Sequence, residues 1–505
     1  MGKLVLPLLI LALAAFVYSL YGFNGPLLRD YAIYLYSGQR MAEGVPPYVS
    51  VFDHKGPLAP MITGLGVMLS KQLSLDDIYT VRVVFFATGC LAVVAVYLLG
   101  SSVFRSQVAG FFGSLTFLGF YAYGYPAASG PEPKTPMVLF EALSLLFMVE
   151  QRWFWAGLFG SLAFLIWQPM AVFPFVTLLL AAMTLKQERY NAVLRALAGI
   201  MTPLVAIAAY FYYHGSLGDL LDGAVLFNAR YLTRGHWQTT PLVYRVLSNP
   251  SLSWDPIRNV IIPYSTSLIP IIIGLAAIMR LYFLRPFEYR FLPILLSFPA
   301  PFLWALLDFQ LSDDFFVYLP YVAIGFGAFL VWVTRQTKNI RLVTVLLSVT
   351  FLGVASANTL DVLNASAAYA LKGTNIDLSQ QKQGALEIEE RFGEDVKLAS
   401  INSPQVLVLL HRINPNPYLF ITAGIDQEID AKWPGGFEGW LQGLETSDAI
   451  TFLGDGQTLL PTAEATPKHR QQLANWLHSY YHVEKTGPWW LYIKHSLDNP
   501  DSAWQ

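Results

Sequence analysis

Four stretches of the chain place ionisable side chains beside apolar runs. The first reads RDYAIYLYSGQRMAEGVPPYVSVFDHKGPL, residues 29–58. Asp30 directly follows the first apolar run, and Lys55 comes 25 residues later, after Asp53 and His54. An acid able to take a proton and a cation able to hold a phosphate suit a phosphate-bearing lipid and a nucleophile awaiting activation. Blander roles are also open to them: Lys55 can snorkel at an interface and Asp30 can cap a helix. The second stretch, GYPAASGPEPKTPM (124–137), holds Glu132 between two prolines at the border of the next run. A carboxylate there needs a partner, and Lys134 is one candidate. The third, DFQLSDDFFVYLPY (308–321), sets Asp313 and Asp314 before a run, either to bind a cation or to hydrate a loop. The fourth, HGSLGDLLDGAVLFNARYLTRGHW (214–237), adds Asn228, Arg230, Tyr231 and Arg234, whose arginines suit an anionic ligand.

Composition sets the medium in which these residues work. Of 505 residues, 54% are hydrophobic and 13% charged, against about 25% charged in soluble domains. A membrane protein with a soluble part attached follows. The net charge of -2 offers no basic stripe, and nucleic acid is not an expected partner. The single cysteine, Cys90, excludes an intrachain disulfide and any cysteine-built zinc or haem site. Asp30, Glu132, Asp313 and Asp314 could supply oxygen ligands to a hard cation, but they come from three loops without a local ligand motif. A divalent metal is possible and not expected.

Apolar runs begin near residues 3, 81, 106, 136, 153, 170, 194, 260, 288, 315 and 341, giving about eleven transmembrane helices. The first is read as a retained helix rather than a signal peptide, because no small-residue cleavage site follows it. The short loops 185–195, 279–290 and 334–341 are basic and close to spans. The positive-inside rule puts them in the cytoplasm together with the amino end. Loops 21–80, 125–135, 214–259 and 308–314 then face outward, as does everything after about residue 359. The run 57–74 is short and broken by Pro60, Gly64 and Gly66, so it is expected to lie at the outer interface. Residues 29–44 should form a second interfacial helix through Tyr31, Tyr34, Leu35 and Met41. Pro169 should split the run 153–184.

Two domains are therefore expected: 1–358, transmembrane, and 359–505, a soluble extracytoplasmic α/β domain. In the latter, 395–401, 417–424, 449–455 and the segment GPWWLYIKH (487–495) look like strands, and 403–413 and 468–481 like helices.

The first outer loop resembles that of the polytopic C-fold (GT-C) glycosyltransferases that use lipid-phosphate sugars, the families of the protein O-mannosyltransferases and the lipid A aminoarabinose transferase. Members carry an acid just past the first span, which falls on Asp30. An aromatic, an acid and a lysine–proline segment follow in the family; here these are Phe52, Asp53, His54, Lys55, Gly56 and Pro57, with a glycine replacing one proline and a histidine inserted. A second family acid matches Glu132, and a late segment resembles 313–322, with acids where the family often has a basic or aromatic residue. The resemblance implies an inverting enzyme of the outer membrane face, with a polyprenyl-phosphate sugar as donor and a glycan, lipid or protein hydroxyl as acceptor. Asp30 would be the general base, Glu132 would orient acceptor or sugar, and Lys55, Arg230 and Arg234 would neutralise the departing phosphate. Asp53, His54, Tyr231, Asp313 and Asp314 complete the expected substrate-binding set. The resemblance also leans against a metal. A lipid or solute transporter, or flippase, is the competing class, and a non-catalytic scaffold a third. A transporter would place its functional charges at mid-membrane between broken helices.

Overall fold

The computed structural model describes residues 2–184, 186–233, 267–284, 288–301, 303, 312–336, 377–421, 424–452 and 465–495. The chain forms two compact units. The first comprises Met1–Phe23, Val81–Tyr210 and Trp237–Leu371; the second comprises Asn24–Thr80, Phe211–His236 and Lys372–Gln505.

The described helices are those of a polytopic α-helical membrane protein. Three are long and apolar enough to cross a bilayer: Asp77–Phe104, Gln187–Tyr213 and Asp314–Gln336. Five more are apolar and shorter: Leu4–Ser19, Gln107–Leu118, Trp153–Phe164, Gln168–Ala182 and Leu268–Leu284. The chain breaks at Pro169 as expected, with a 3₁₀ turn Gln168–Ala171 between the helices Trp153–Phe164 and Val172–Ala182. Lipid tails are as apolar as leucine, so helices in a membrane associate through close packing at small residues. In the first unit, the helix Leu319–Gln336 packs on Gln107–Leu118 and on Leu268–Leu284. A methyl group added to Gly325 would stand 2.5 Å from the Gly274 carbonyl oxygen, and one on Gly327 would stand 2.4 Å from that of Ala109. Substitution at either glycine would force these helices apart.

The second unit is built around the helix Arg29–Met41, which packs against Leu58–Leu73 and against the short helix Gln405–Leu409. Residues 31–39 are buried all round. This differs from a helix lying on the membrane by one face. Its polar groups find partners within the unit instead: Gln39 donates to Asp77 (2.8 Å) and to the Val408 carbonyl (3.1 Å), and Tyr36 accepts from the Asn414 amide (2.8 Å). The helix Leu58–Leu73 is half-buried. Its Thr63, Gly64, Val67 and Ser70 face inward while Leu65, Leu69 and Leu73 form an exposed stripe at helical spacing.

The carboxyl-terminal part contributes a mixed four-stranded sheet of β1 (Leu398–Ile401), β2 (Ala449–Phe452), β3 (Tyr481–Thr486) and β4 (Trp489–Lys494). The strand order is β1-β2-β4-β3; β1 and β2 run parallel with Leu398 opposite Ala449, and the other pairs are antiparallel. Helices Leu378–Phe392, Ile425–Lys432, Gly436–Leu444 and Pro467–Tyr480 complete it. Of the expected strands, 417–421 is irregular, because side chains take the place of a ladder: Asn416 accepts from Tyr418 N and Asn402 from Ile421 N.

Candidate functional site

Asp30 opens the buried helix in its first turn, where an acid complements the helix dipole. One carboxylate oxygen accepts from Arg29 Nε at 3.1 Å and the other lies 3.7 Å from Lys55 Nζ. Asp30 keeps 45% of its side-chain surface exposed and Lys55 36%, so both are open to a ligand. Burial pushes the Asp30 carboxyl upward, but Lys55 and Arg29 outweigh it, with a smaller contribution from His54, and the net shift is downward. Asp30 is ionised at neutral pH, as a proton acceptor must be. His54 is shifted down, by burial first and then by Lys55, against the pull of Asp53 and Asp30. It is therefore neutral and does not compete with Lys55 as a cation.

The turn carrying Lys55 is held by its own backbone groups. Asp53 Oδ1 accepts from the amides of His54 (2.7 Å) and Lys55 (3.2 Å), the Asx arrangement that makes a carboxylate a turn-former. The Lys55 carbonyl accepts from Tyr48 Oη at 2.5 Å, and the His54 carbonyl accepts from Asn228 Nδ2 at 2.7 Å. Tyr48 has φ 67°, a left-handed conformation that is unfavourable for a bulky residue and marks a constrained point. Within the second unit, the structure thus brings Asp30, Asp53, His54 and Lys55 into one cluster, with Tyr48 and Asn228 as supports.

Arg230 lies in the same unit and is engaged by two acids, Asp222 Oδ1 at 2.8 Å and Glu428 Oε1 at 2.7 Å. Lys432 pairs with the same two acids. Two cations and two carboxylates form a closed ring, and the pairs pull the Asp222 carboxyl down against the effect of its burial. Arg234 lies outside the described residues, as does the side chain of Tyr231.

Glu132 belongs to the first unit and is buried, with 6% exposure. Its Oε1 accepts from the amide of Lys134, the first residue of the helix Lys134–Val149, at 3.1 Å. The Lys134 amine goes elsewhere, to the buried carboxylate of Asp314, and lies 4.9 Å from the centre of the Trp167 ring. The side chain of Asp313 is outside the described residues. Sequence reasoning missed Arg82, which is fully buried and donates to the carbonyls of Gly130 (3.2 Å) and Phe23. It ties down the loop that carries Glu132. Its signal was a lone cation six residues inside an apolar helix, where an unpaired charge is too costly to stand. Among the described residues, no group of three or more His, Cys, Asp or Glu side chains is arranged to hold a metal ion.

The chain is similar to ArnT from Cupriavidus metallidurans, seen in crystal structures in the apo state and bound to undecaprenyl phosphate. In both comparisons the TM-score is 0.59 at 14% identity, covering 98% of this chain and 99% of that one. The two proteins share a fold over essentially their whole length. The S. cerevisiae protein O-mannosyltransferase Pmt1–Pmt2 complex, bound to the sugar donor, matches over 43% of this chain and 35% of its own at a TM-score of 0.35, which establishes no shared fold. No known protein family and no curated protein matches the sequence.

Proposed function

We propose that the protein is an inverting glycosyltransferase that moves a sugar from a polyprenyl-phosphate donor to an acceptor hydroxyl at the outer face of the inner or plasma membrane. The observation that carries this reading is the Asp30–Lys55 pair, a carboxylate 3.7 Å from an amine and both partly exposed. It occurs in a chain with the fold of a protein crystallised with undecaprenyl phosphate.

Asp30 takes the proton of the acceptor hydroxyl as its oxygen bonds to the anomeric carbon. The bond from that carbon to the phosphate oxygen breaks on the opposite side, and its electron pair leaves with the phosphate. A single displacement inverts the centre. Lys55 neutralises the growing phosphate charge. Arg230 and Arg234 assist, Arg230 by exchanging one of its acidic partners for the phosphate. Glu132 orients acceptor or sugar, and Asp53 and His54 shape the phosphate turn. Tyr231, Asp313 and Asp314 complete the substrate-binding set. No metal takes part. The arrangement includes about eleven spans, a cytoplasmic amino end, a transmembrane domain 1–358 and an extracytoplasmic domain 359–505. The test is consumption of a polyprenyl-phosphate sugar by the purified chain, with release of polyprenyl phosphate dependent on acceptor.

A transporter is a second reading, and one observation favours it. Glu141, in the helix Lys134–Val149, is fully buried, and neither carboxylate oxygen has a hydrogen-bond partner among the described residues. An ionisable group buried without a partner marks a proton or ion path in many membrane carriers. The glycosyltransferase reading assigns it no chemistry.

A further inference from the structure

Three successive carbonyl groups of the turn that carries Lys55 are each received by a different group. The Asp53 carbonyl oxygen meets the bare α-carbon of Gly223, where an added methyl would stand 2.6 Å away. The His54 carbonyl accepts from Asn228 Nδ2 at 2.7 Å, and the Lys55 carbonyl from Tyr48 Oη at 2.5 Å. Two of these three receivers come from one place, the π-helical turn Asp222–Phe227 and the residue that follows it. Phe227, at the end of that turn, packs its ring on Phe52 (5.2 Å between centroids) and on His54 (5.8 Å). The other amide hydrogen of Asn228 goes to the Ala224 carbonyl at 2.9 Å. The side chain is therefore locked to its own turn while it holds the loop.

We infer that the π-turn Asp222–Phe227 is the template for the Asp53–Lys55 turn, and that Asn228 is a positioning residue which acts through Lys55. A π-turn contains one residue more than an α-turn, so it shifts the register of the side chains that follow, and such turns recur at functional sites. Here it presents a glycine, an aromatic ring and an amide to one short loop. Asn228 suits the task because its amide offers two donors at once. Asp is the same size and offers none when ionised. This role rests on the reading that Lys55 holds the donor phosphate.

The experiment compares Asn228→Asp and Asn228→Ala with the wild type in the full-length protein. Donor KM should rise about 10-fold with kcat within about twofold and the melting temperature unchanged. In a Lys55→Ala background, Asn228→Ala should add nothing further to donor KM. An additive effect there, or an unchanged KM in the single variants, overturns the assignment. Gly223→Ala, which presses on the neighbouring carbonyl, should reproduce the KM effect if the Asn228 variants fold poorly; an unchanged donor KM in a folded Gly223→Ala overturns it.

A wild type that consumes no polyprenyl-phosphate sugar defeats the functional reading alone. The positioning claim is then decided by how fast an amine-reactive reagent modifies Lys55, followed by mass spectrometry. Asn228→Ala should change that rate severalfold and leave unaffected that of Lys382, which lies on the helix Leu378–Phe392 and pairs with Asp76 at 2.6 Å. An unchanged Lys55 rate overturns the claim.

Discussion

Replacing Lys55 by Ala separates a phosphate-binding lysine from one that merely anchors a loop. Its amine lies 3.7 Å from Asp30 and its side chain is 36% exposed, so water screens the pair and the ion pair itself contributes at most about 1 kcal/mol to folding. A charge-assisted hydrogen bond to a bound donor phosphate is worth more, about 1.5–3 kcal/mol. At 1.4 kcal/mol per decade, that corresponds to a donor KM raised about 10- to 150-fold with the fold intact. Lys55 is also the largest influence lowering the Asp30 carboxyl, against the upward push of burial. A depressed carboxyl contributes stability above its unfolded pKa of about 3.9 and loses it as pH falls through the folded value. In Lys55→Ala, that contribution should shrink, and the acid limb of kcat/KM should move toward neutral. Lys55→Arg should keep most of the limb position and lose less affinity. The assay follows loss of the sugar lipid and appearance of polyprenyl phosphate by thin-layer chromatography across pH. An unchanged donor KM with an unmoved acid limb would refute the assignment.

Three further outcomes are expected. Asp314→Ala strands the Lys134 amine in a site where the two side chains are only 7% and 17% exposed. It should cost about 3–5 kcal/mol of stability by denaturant titration, most of it recovered in Asp314→Leu with Lys134→Met; a loss below ~1 kcal/mol would contradict a buried pair. Glycosyl transfer should survive dialysis against a chelator at full rate, and loss restored by magnesium or manganese would put metal into the site. Glu141→Gln should leave transfer turnover within about twofold, whereas a large loss would make the buried carboxylate part of the transfer machinery.

Much of this was legible in the residues because charge beside hydrocarbon needs a reason. Asp30 and Lys55 stand 25 positions apart and still pair, and the loop sequence announced both. Pro169 marked its break for the same local reason that proline ends helices anywhere. Tertiary packing hid the rest. The helix Arg29–Met41 carries a one-sided apolar pattern, yet it is buried on every side because Gln39 and Tyr36 find partners far along the chain. The strand β3 was not among the expected strands, since its pairing with β4 through Thr486 and Trp489 is not written in its own periodicity. Gly223 and Asn228 gave no local sign of what they support, for a π-turn has no sequence signature here. The boundary at 358–359 falls outside the described residues.

The most direct measurement is transfer from a defined polyprenyl-phosphate sugar by wild type and Asp30→Asn, side by side in the same detergent. Asn keeps the size of Asp30 and an oxygen for Arg29, and removes the basic carboxylate. The site is partly exposed, so the melting temperature should hold. Turnover at saturating donor should fall by about 10²–10⁴, and the wild-type product should have its anomeric centre inverted. Near-normal turnover in Asp30→Asn, or a product with retained configuration, would contradict the account.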